Sequence, residues 1–397
     1  MKFARAVCAF AGLALLLLPG CSSGEPDARP YASRYAGVDN LRLETLTRAE
    51  ARELALELSP RAQGLRSWKD LSFALKQSLD YVLSRPEDGN ALILPGRNPL
   101  RLDWRDLRFG LERLLEILPY LDINTGLLAD EFIWLRLSPE FGFTAYYEPT
   151  LEVDYQLGPI YRYPLYAPPP DMKPGVPYHD RRAIDRWKVL SGRGLEIAWA
   201  RDMLDVFFLQ IQGSGRLVFT DGREKYALYA GKNGHPYVSL GRELLDRGLL
   251  SPDRANMPGI REVLAANPEQ MEDLLALNPS YVFFRLENSG LVGGMGRLLT
   301  PGVSLAVDPA VLPYGSLLFF QTVLPDSSGG HTRDFRALGL PQDRGGAIRG
   351  RRVDLFLGGG EQAGHVAGHL NSEGVVYLLL PVSGGSFTRD FREASRP

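Results

Sequence analysis

The segment 342–358 has the sequence QDRGGAIRGRRVDLFLG and places two carboxylates, Asp343 and Asp354, beside a series of glycines. A strand over residues 353–357 has a period of two, so its aliphatic side chains face one way while Asp354 and Phe356 face the other. A carboxyl group that is partly desolvated beside an aromatic ring has a raised pKa, so it can hold a proton and donate it near neutral pH. The segment therefore predicts a β-rich fold in which Asp354 is a candidate acid.

The same segment also has a purely structural interpretation. In it, Asp343 makes an Asx turn, Asp354 pairs with Arg351 or Arg352, and the glycines only connect the strands of a barrel. A third acid, Asp308, precedes a proline at a predicted strand end, where aspartate is usually a turn former. Spacing alone leaves both interpretations open.

The N-terminus resembles a bacterial export signal. Two basic residues precede an apolar run over residues 7–18, which is too short to span a bilayer but suits the core of a signal peptide. The run ends in the sequence LPGC, residues 18–21, which resembles the lipobox of bacterial lipoproteins. We therefore expect residues 1–20 to be removed.

Cys21 would then carry the lipid and become the first residue of the mature protein. Pro19 is an unusual lipobox residue, so a plain secretory signal or an uncleaved anchor remains the alternative. Ser22 stands where an aspartate would retain a lipoprotein in the inner membrane. We therefore expect attachment to outer-membrane lipid through Cys21, on the periplasmic face.

Composition excludes several classes of function. Cys8 lies in the predicted signal, so Cys21 is the only cysteine of the mature chain, and neither a disulfide nor a thiolate cluster is expected. Residues 1–20 contain two basic and no acidic groups, so their removal changes the formal net charge from −2 to −4. A negative charge argues against nucleic acid as the partner. The 397 residues, 45% of them hydrophobic, are enough for two or three cores.

The first half of the chain predicts helices after a flexible stretch. Residues 22–44 are rich in Ser, Pro, Gly and Ala without apolar periodicity, which is typical of a tether. Three helical patterns follow, opened by Thr47, Ser67 and Asp103 as capping residues. Leucines at helical spacing over residues 107–118 indicate helices that pack against a core rather than contacts to a cofactor.

Strand patterns dominate from Phe141 onward. Apolar runs over residues 195–231, broken by glycines and by an Asp221-Gly222 hairpin signal, predict a small β-domain. Two short helices are expected near residues 240–245 and 260–277, the second one interrupted by Asn267-Pro268. The last section has short strands between glycine turns, which indicates a compact barrel.

Four further segments, taken in order, resemble one enzyme family. They are residues 143–149 (FTAYYEP), 210–215 (QIQGSG), 229–234 (YAGKNG) and 278–284 (NPSYVFF). Together with the three aspartates, they resemble the membrane-bound lytic murein transglycosylase A family over roughly residues 141–381. The sequence departs from the family pattern at Ala145, where Gly is common, at Arg344 and Arg349, and in the stretch 293–296 (GGMG).

The resemblance implies a mainly β fold with N-terminal helices: a double-psi β-barrel domain, a second small β-barrel domain inserted into it, and a groove between them. We therefore expect the following segments: 1–20, signal peptide; 21–44, lipid-anchored tether; 45–148, N-terminal helices and first part of the barrel; 149–280, inserted β-domain; 281–385, three-Asp part of the barrel; and 386–397, C-terminal tail.

The resemblance also implies the chemistry. The enzyme would cut the peptidoglycan glycan strand between MurNAc and GlcNAc and leave 1,6-anhydro-MurNAc ends, acting from strand ends and without a metal or organic cofactor. Asp354 matches the family's catalytic acid, and Asp343 and Asp308 match two supporting aspartates. Candidate substrate-binding residues are Thr144, Tyr146, Tyr147, Gln212 and Ser214, because aromatic rings and hydroxyls suit sugars.

Several alternatives remain. The two tyrosines could be core residues and Gln212 a strand-edge residue, and the protein could be an inactive peptidoglycan-binding lipoprotein. Hydrolysis by Asp354 with Asp343 as the base would give reducing ends instead. His365 and His369 are four residues apart and could bind zinc if helical, although the glycines between them weaken a helix. An aspartic protease is disfavoured because only one imperfect Asp-Thr-Gly-like loop is present. Other cell-wall synthesis or hydrolysis proteins are further candidate partners.

Overall fold

The computed structural model describes residues 41–94, 100–326, 332–346 and 348–383. The predicted signal peptide, the lipidation site Cys21 and the C-terminal tail 386–397 lie outside the described residues, as does most of the tether. Among the described helices, none is both long and apolar enough to span a membrane.

The helices and strands fall into three successive groups. The N-terminal group contains β1 (Arg42–Thr45), α1 (Arg48–Leu56), α2 (Ser72–Leu83), β2 (Asn90–Leu94), β3 (Leu100–Asp103), α3 (Trp104–Leu121), α4 (Leu127–Glu131) and β4 (Phe132–Glu148). The middle group contains β5 (Thr150–Asp154), β6 (Tyr163–Tyr166), α5 (Arg181–Asp185), β7 (Glu196–Ala200), α6 (Met203–Gln212), β8 (Ser214–Phe219), β9 (Glu224–Lys232), α7 (Leu240–Asp246), α8 (Met257–Ala266), α9 (Met271–Leu275) and β10 (Val282–Glu287). The C-terminal group contains β11 (Ser304–Val307), β12 (Leu317–Pro325), β13 (Thr332–Asp343), β14 (Arg352–Gly359), α10 (Glu361–His369) and β15 (Ser372–Pro381).

Six strands close into a barrel in the order β4-β14-β11-β13-β12-β15, because β15 pairs in turn with β4. Two neighbouring pairs, β4 with β14 and β11 with β13, are parallel, whereas the other four are antiparallel. A closed barrel leaves no exposed strand edge. The predicted barrel with N-terminal helices is therefore confirmed.

The barrel also has one added strand at the N-terminal end. Residues 42–45 form β1 and pair antiparallel with residues 135–138 of β4. The predicted tether to residue 44 is therefore too long. The composition of the stretch gave no sign of this strand, because β1 is mostly exposed and depends on pairing with β4 rather than on an apolar face.

The predicted packing helices are confirmed, with one change at their start. Thr47 makes a capping box with Glu50, and the Asp103 amide donates to the Asp106 carboxylate over 2.9 Å. Ser67 instead opens a 3-10 turn without a side-chain cap. The leucines of α3 lie in the main core beside the barrel residues.

The middle group forms a second body with a six-stranded sheet in the order β10-β9-β8-β5-β7-β6. The end strands β6 and β10 contact each other, so the sheet curls into a barrel-like shape. The Asp221-Gly222 hairpin between β8 and β9 is confirmed, as is the interruption between α8 and α9. We call this body the insert.

The predicted small β-domain is confirmed, although it contains a helix that the sequence did not indicate. Residues 203–212 form α6, in which nearly every side chain is buried, so no helical period was visible. The predicted domain boundary at residue 280 is wrong, because β10 pairs with β9 and buries Phe284 in the core of the insert. The insert therefore extends through β10.

A glycine next to the barrel offers a stability test. Gly302 has φ +72°, and a Cβ there would lie 2.2 Å from the backbone oxygen of Gln63, whereas Gly64 has φ +78° with open space around it. Gly64→Ala should cost about 1 kcal/mol of stability from backbone strain alone. Gly302→Ala should cost about 3 kcal/mol, because overpacking adds to the strain. Thermal unfolding midpoints measure both, and a drop for Gly302→Ala no larger than for Gly64→Ala would contradict the packing.

Candidate active site

Asp354 lies in β14, between two other barrel strands. Its register partners are Thr144 of the parallel strand β4 and Ala306 of the antiparallel strand β11. Val353 and Leu355 lie in the main core. The predicted strand and the alternation of its faces are therefore confirmed.

The face that carries Asp354 meets the insert at a separate apolar cluster. This cluster contains Tyr146, Leu228, Leu291, Ala306 and Phe356. Leu228 belongs to β9 of the insert, and Phe356 follows Asp354 on the same side of β14. The acid therefore lies beside the junction of the two bodies, where the predicted groove would run.

The Asp354 carboxyl group is fully buried, with 0% of the residue exposed. Its Oδ1 accepts a hydrogen bond from the Thr144 hydroxyl over 2.7 Å, whereas Oδ2 is buried without a hydrogen-bond partner among the described residues. Burial raises the pKa of Asp354 to about 7, although the Thr144 hydrogen bond and the Arg352 charge lower it. The group can therefore hold a proton near neutral pH, and Oδ2 is the oxygen free to exchange it.

Asp343 ends β13 and lies on the other side of β11, where its register partner is again Ala306. Its carboxylate accepts from the Tyr146 hydroxyl over 2.8 Å, from the Gly294 amide over 2.6 Å and from the Arg344 amide over 2.8 Å. Burial nevertheless raises the pKa of Asp343. Its negative charge in turn raises the pKa of Asp354.

Asp308 follows β11 and is part of a turn. Its Oδ1 accepts from the Ala310 amide over 3.1 Å, and its Oδ2 accepts from the Gly350 amide over 2.9 Å. The second bond ties the end of β11 to the loop that leads into β14. All three aspartates thus surround β11, but each has a different set of partners.

The two tyrosines of the FTAYYEP segment point to opposite sides of β4. The Tyr146 hydroxyl donates to Asp343, and its ring packs 5.2 Å from the ring of Phe356. Tyr147 instead lines a cavity between the barrel and the insert, together with residues of α6 and α8. Thr144 and Tyr146 are therefore beside the aspartates, whereas Tyr147 is not.

Gln212 and Ser214 lie at the corner between α6 and β8. Gln212 is the last residue of α6 and is 3% exposed, and its Oε1 has no hydrogen-bond partner within the described part of the chain. Ser214 begins β8 opposite Leu228, which belongs to the apolar cluster at the junction. This corner is therefore on the insert side of the same junction.

The sequence did not assign a role to the 293–296 stretch, although its glycines departed from the family pattern. The Gly294 amide donates to Asp343, and a Cβ at that position would lie 2.7 Å from the Tyr314 hydroxyl. A Cβ at Gly293 would lie 2.5 Å from the Gln342 carbonyl oxygen. The two glycines therefore permit the close approach of this loop to Asp343. The two adjacent glycines in the sequence were the signal that could have indicated this close approach.

Residues 361–369 form helix α10 despite the glycines between its two histidines, whose rings stack with centroids 4.3 Å apart. The His369 Nδ1 lies 2.7 Å from the His365 carbonyl oxygen, and its Nε2 lies 3.3 Å from the Asn256 amide of α8. No group of three His, Cys, Asp or Glu side chains suited to a metal ion occurs in the part of the chain that the structure describes.

Comparison with known proteins gives the family context. The chain matches the MltA specific insert domain over residues 142–285 and the 3D domain over residues 303–380. It is 34% identical over 246 residues to a membrane-bound lytic murein transglycosylase A from Vibrio cholerae, which is 60% of this chain and 64% of that protein. The chain thus matches slightly less than two thirds of this relative's length.

Two solved structures are similar over a larger share of the chain. A membrane-bound lytic murein transglycosylase from Agrobacterium tumefaciens has 32% identity and a TM-score of 0.69, covering 89% of this chain and 99% of that one. A lytic transglycosylase from Burkholderia pseudomallei has 33% identity and a TM-score of 0.54, covering 80% of this chain and 92% of that one. These matches agree with the barrel and insert described above.

Removing the Thr144 hydroxyl should change the acidity of Asp354. Thr144→Val keeps the shape of the side chain but deletes the hydrogen bond that stabilises the carboxylate form, so the pKa of Asp354 should rise above about 7. Carboxyl carbon NMR titration measures this value, with Asp354→Asn to assign the signal. Thr322→Val, which breaks a partly buried hydrogen bond between the Thr322 and Ser372 hydroxyl groups, is the matched control. An unchanged pKa in Thr144→Val would contradict the assigned role of the hydrogen bond.

Proposed function

The chain belongs to the membrane-bound lytic murein transglycosylase A family, and from this premise we propose that it is a lytic transglycosylase. It cleaves the β-1,4 linkage between MurNAc and GlcNAc in peptidoglycan and leaves 1,6-anhydro-MurNAc ends. The observation that carries the proposal is the carboxyl group of Asp354, which is desolvated, has a pKa raised to about 7 and keeps one oxygen without a partner among the described residues.

The proposed reaction needs only this carboxyl group. Protonated Asp354 donates its proton to the glycosidic oxygen as the bond from C1 of MurNAc breaks, so GlcNAc leaves as an alcohol. The resulting carboxylate accepts the proton of the muramyl C6 hydroxyl, whose oxygen attacks C1 and closes the anhydro ring. The nucleophile belongs to the same sugar, so its effective concentration is high. The acid is regenerated at the end of the cycle.

The hydrogen bonds of the other aspartates favour ring closure over hydrolysis. Hydrolysis by the ordinary glycosidase route needs a second carboxylate to activate water or to act as a nucleophile. Asp343 already accepts three hydrogen bonds, and Asp308 accepts two hydrogen bonds from the backbone amides of Ala310 and Gly350. We propose that Asp343 supports catalysis by raising the pKa of Asp354 and that Asp308 supports it by holding the loop before β14.

Two of the predicted sugar contacts have a more specific role in this proposal. Thr144 donates to Asp354, and Tyr146 donates to Asp343, so both position carboxyl groups. Gln212 and Ser214 remain candidates for contacts to the sugar from the insert side. Because Asp354 is fully buried, we propose that glycan enters when the barrel and insert separate at the apolar cluster that contains Phe356.

We further propose that the protein acts on the glycan strands at the periplasmic face of the outer membrane, held there by lipid on Cys21. The Vibrio cholerae relative is named as membrane-bound, which supports attachment but not this particular anchor. Association with other cell-wall proteins stays a prediction, as does cutting from strand ends.

Product analysis separates the enzyme from an inactive binding protein. Wild-type protein incubated with sacculi should release anhydromuropeptides, and Asp354→Asn should release at least about a thousandfold less, because its amide cannot act as an acid. Mass spectrometry distinguishes anhydro ends from reducing ends. Asp334→Asn, an exposed aspartate of β13, is the control and should retain activity. Equal product from the wild type and Asp354→Asn would disprove the assignment, and reducing ends would indicate hydrolysis.

The raised pKa of Asp354 predicts that activity and the contribution of Asp354 to stability both decrease as the pH rises. Activity should fall as the pH rises through about 7, because the proton to be donated is lost. The folded state keeps this proton while the unfolded state loses it above about pH 4, so the contribution of Asp354 to stability decreases from pH 4 to about 7. Asp354→Asn should therefore raise the thermal unfolding midpoint more at pH 8 than at pH 4. An equal shift at both pH values would exclude the raised pKa.

A further inference from the structure

The cavity lined by Tyr147 lies between the barrel and the insert, on the side of β4 opposite Asp354. We call it the second cleft, to distinguish it from the proposed groove beside Asp354. Its volume is about 500 Å³. The residues that decide its chemistry are Tyr147 and Glu148 from the end of β4, Phe208 from α6, Arg261 from α8, and Glu361 and His365 from α10. The residues that line the cleft include none of Asp308, Asp343 and Asp354, and Tyr147 alternates along β4 with Tyr146, which contacts Asp343, so the cleft is distinct from the site of the aspartates.

Negative charge dominates this second cleft. Arg261 is shared by Asp205 at 2.7 Å and Asp202 at 3.5 Å. Arg216, next to the cleft, is shared by Glu148 at 3.3 Å and Glu224 at 3.5 Å. The lining itself carries three carboxyl groups, those of Glu148, Asp205 and Glu361, and one guanidinium group, that of Arg261, so two formal negative charges remain when His365 is counted as neutral. A cation would be attracted to this cleft.

The walls of the cleft indicate what kind of cation fits. The Nε2 atom of His365 is buried without a hydrogen-bond partner among the described residues, and it can accept a hydrogen bond when Nδ1 carries the proton. Met257 and Pro258 add apolar surface beside Phe208. An ammonium group at the end of a short apolar chain would therefore contact the carboxylates of the cleft, and its chain would contact the apolar wall.

The two aromatic rings of this cleft are each covered on one face. Stacking of a pyranose ring needs an uncovered aromatic face. Helix α10 lies close over Tyr147, since a Cβ on Gly364 would be 3.2 Å from its ring. The Arg261 guanidinium lies 5.0 Å from the centre of the Phe208 ring. One face of each ring is therefore already covered.

We propose that the second cleft binds a peptide that carries a primary ammonium group. The inference rests on the proposed function: in peptidoglycan, this peptide is the stem attached to the glycan strand, whose diamino acid supplies the amine. While the glycan occupies the groove beside Asp354, the stem reaches around the end of β4 to Glu148 and Glu361. The cleft therefore makes the enzyme prefer strands whose stem amines are free.

Selective blocking of the amine tests this preference. Sacculi are used in native form and after acetylation of their free amines, which removes the positive charge and keeps the peptide. Wild-type kcat/KM for anhydro products should be about three- to fivefold lower on acetylated sacculi, the range expected for a partly exposed ion pair. Glu361→Gln should reduce the difference between the two substrates to less than half. Glu269→Gln, a change of an exposed glutamate elsewhere in the insert, should leave the difference at its wild-type size.

The outcomes separate the second cleft from the active site. Equal wild-type kcat/KM on native and acetylated sacculi would overturn the proposal, and so would a Glu361→Gln variant that keeps the full difference. Peptide-free glycan strands test the proposed function alone, because they contain the scissile linkage without the stem. Absence of anhydro product from these strands and from sacculi with wild-type protein would refute the transglycosylase and leave the cleft without its ligand. Unfolding midpoints for both glutamine variants exclude misfolding as the cause.

Discussion

The hydrogen bond from Thr144 to Asp354 is the contact on which the proposed active site depends. It exists because β4 and β14 are parallel neighbours with these two residues in register. The bond fixes Oδ1 and leaves Oδ2 as the oxygen that we propose to react, while burial keeps a proton on the carboxyl group at a pH where an exposed aspartate would have lost it. A one-residue slip of this strand pair would turn Asp354 into the core and Leu355 toward the insert. The register of the barrel is thus also a requirement of the chemistry.

The three aspartates show that residue type alone does not decide reactivity. Asp343 and Asp354 are both buried and both flank Ala306, yet three donors hold Asp343 and one holds Asp354. Each donor stabilises the charged carboxylate and removes a lone pair from any other use. The proposed division of roles therefore follows from the donors that surround each carboxyl group. A buried oxygen without a hydrogen-bond partner among the described residues, such as Oδ2 of Asp354, lowers the free energy of unfolding.

Local patterns in the sequence were enough to predict the strand that carries Asp354 and a compact barrel, whereas the proposed chemistry was implied by the resemblance to a known family. A period of two around Asp354 predicted its strand and its face, and capping residues predicted the starts of α1 and α3. The errors share a different cause, since β1, α6 and β10 depend on partners distant in the chain. The α6 segment is buried on all sides and lacks a period, and β10 looked like any other apolar strand until its pairing with β9 was known. Strand alternation predicts that Tyr146 and Tyr147 point to opposite sides of β4. The surroundings of each ring could not be predicted, because they depend on how the barrel and the insert are arranged.

The passage of the chain from one body to the other has a mechanical consequence. Only Pro149 separates β4 of the barrel from β5 of the insert, and the Pro149 carbonyl accepts from the Arg216 amide of β8 over 2.8 Å. Proline lacks torsional freedom about φ, so this joint is stiff. Rotation of the insert about this joint would pull on β4, which carries Thr144 four residues before its last residue, Glu148. A load applied by a bound polymer to the insert would thus reach, through this joint, the strand that carries Thr144, whose hydrogen bond lowers the pKa of Asp354.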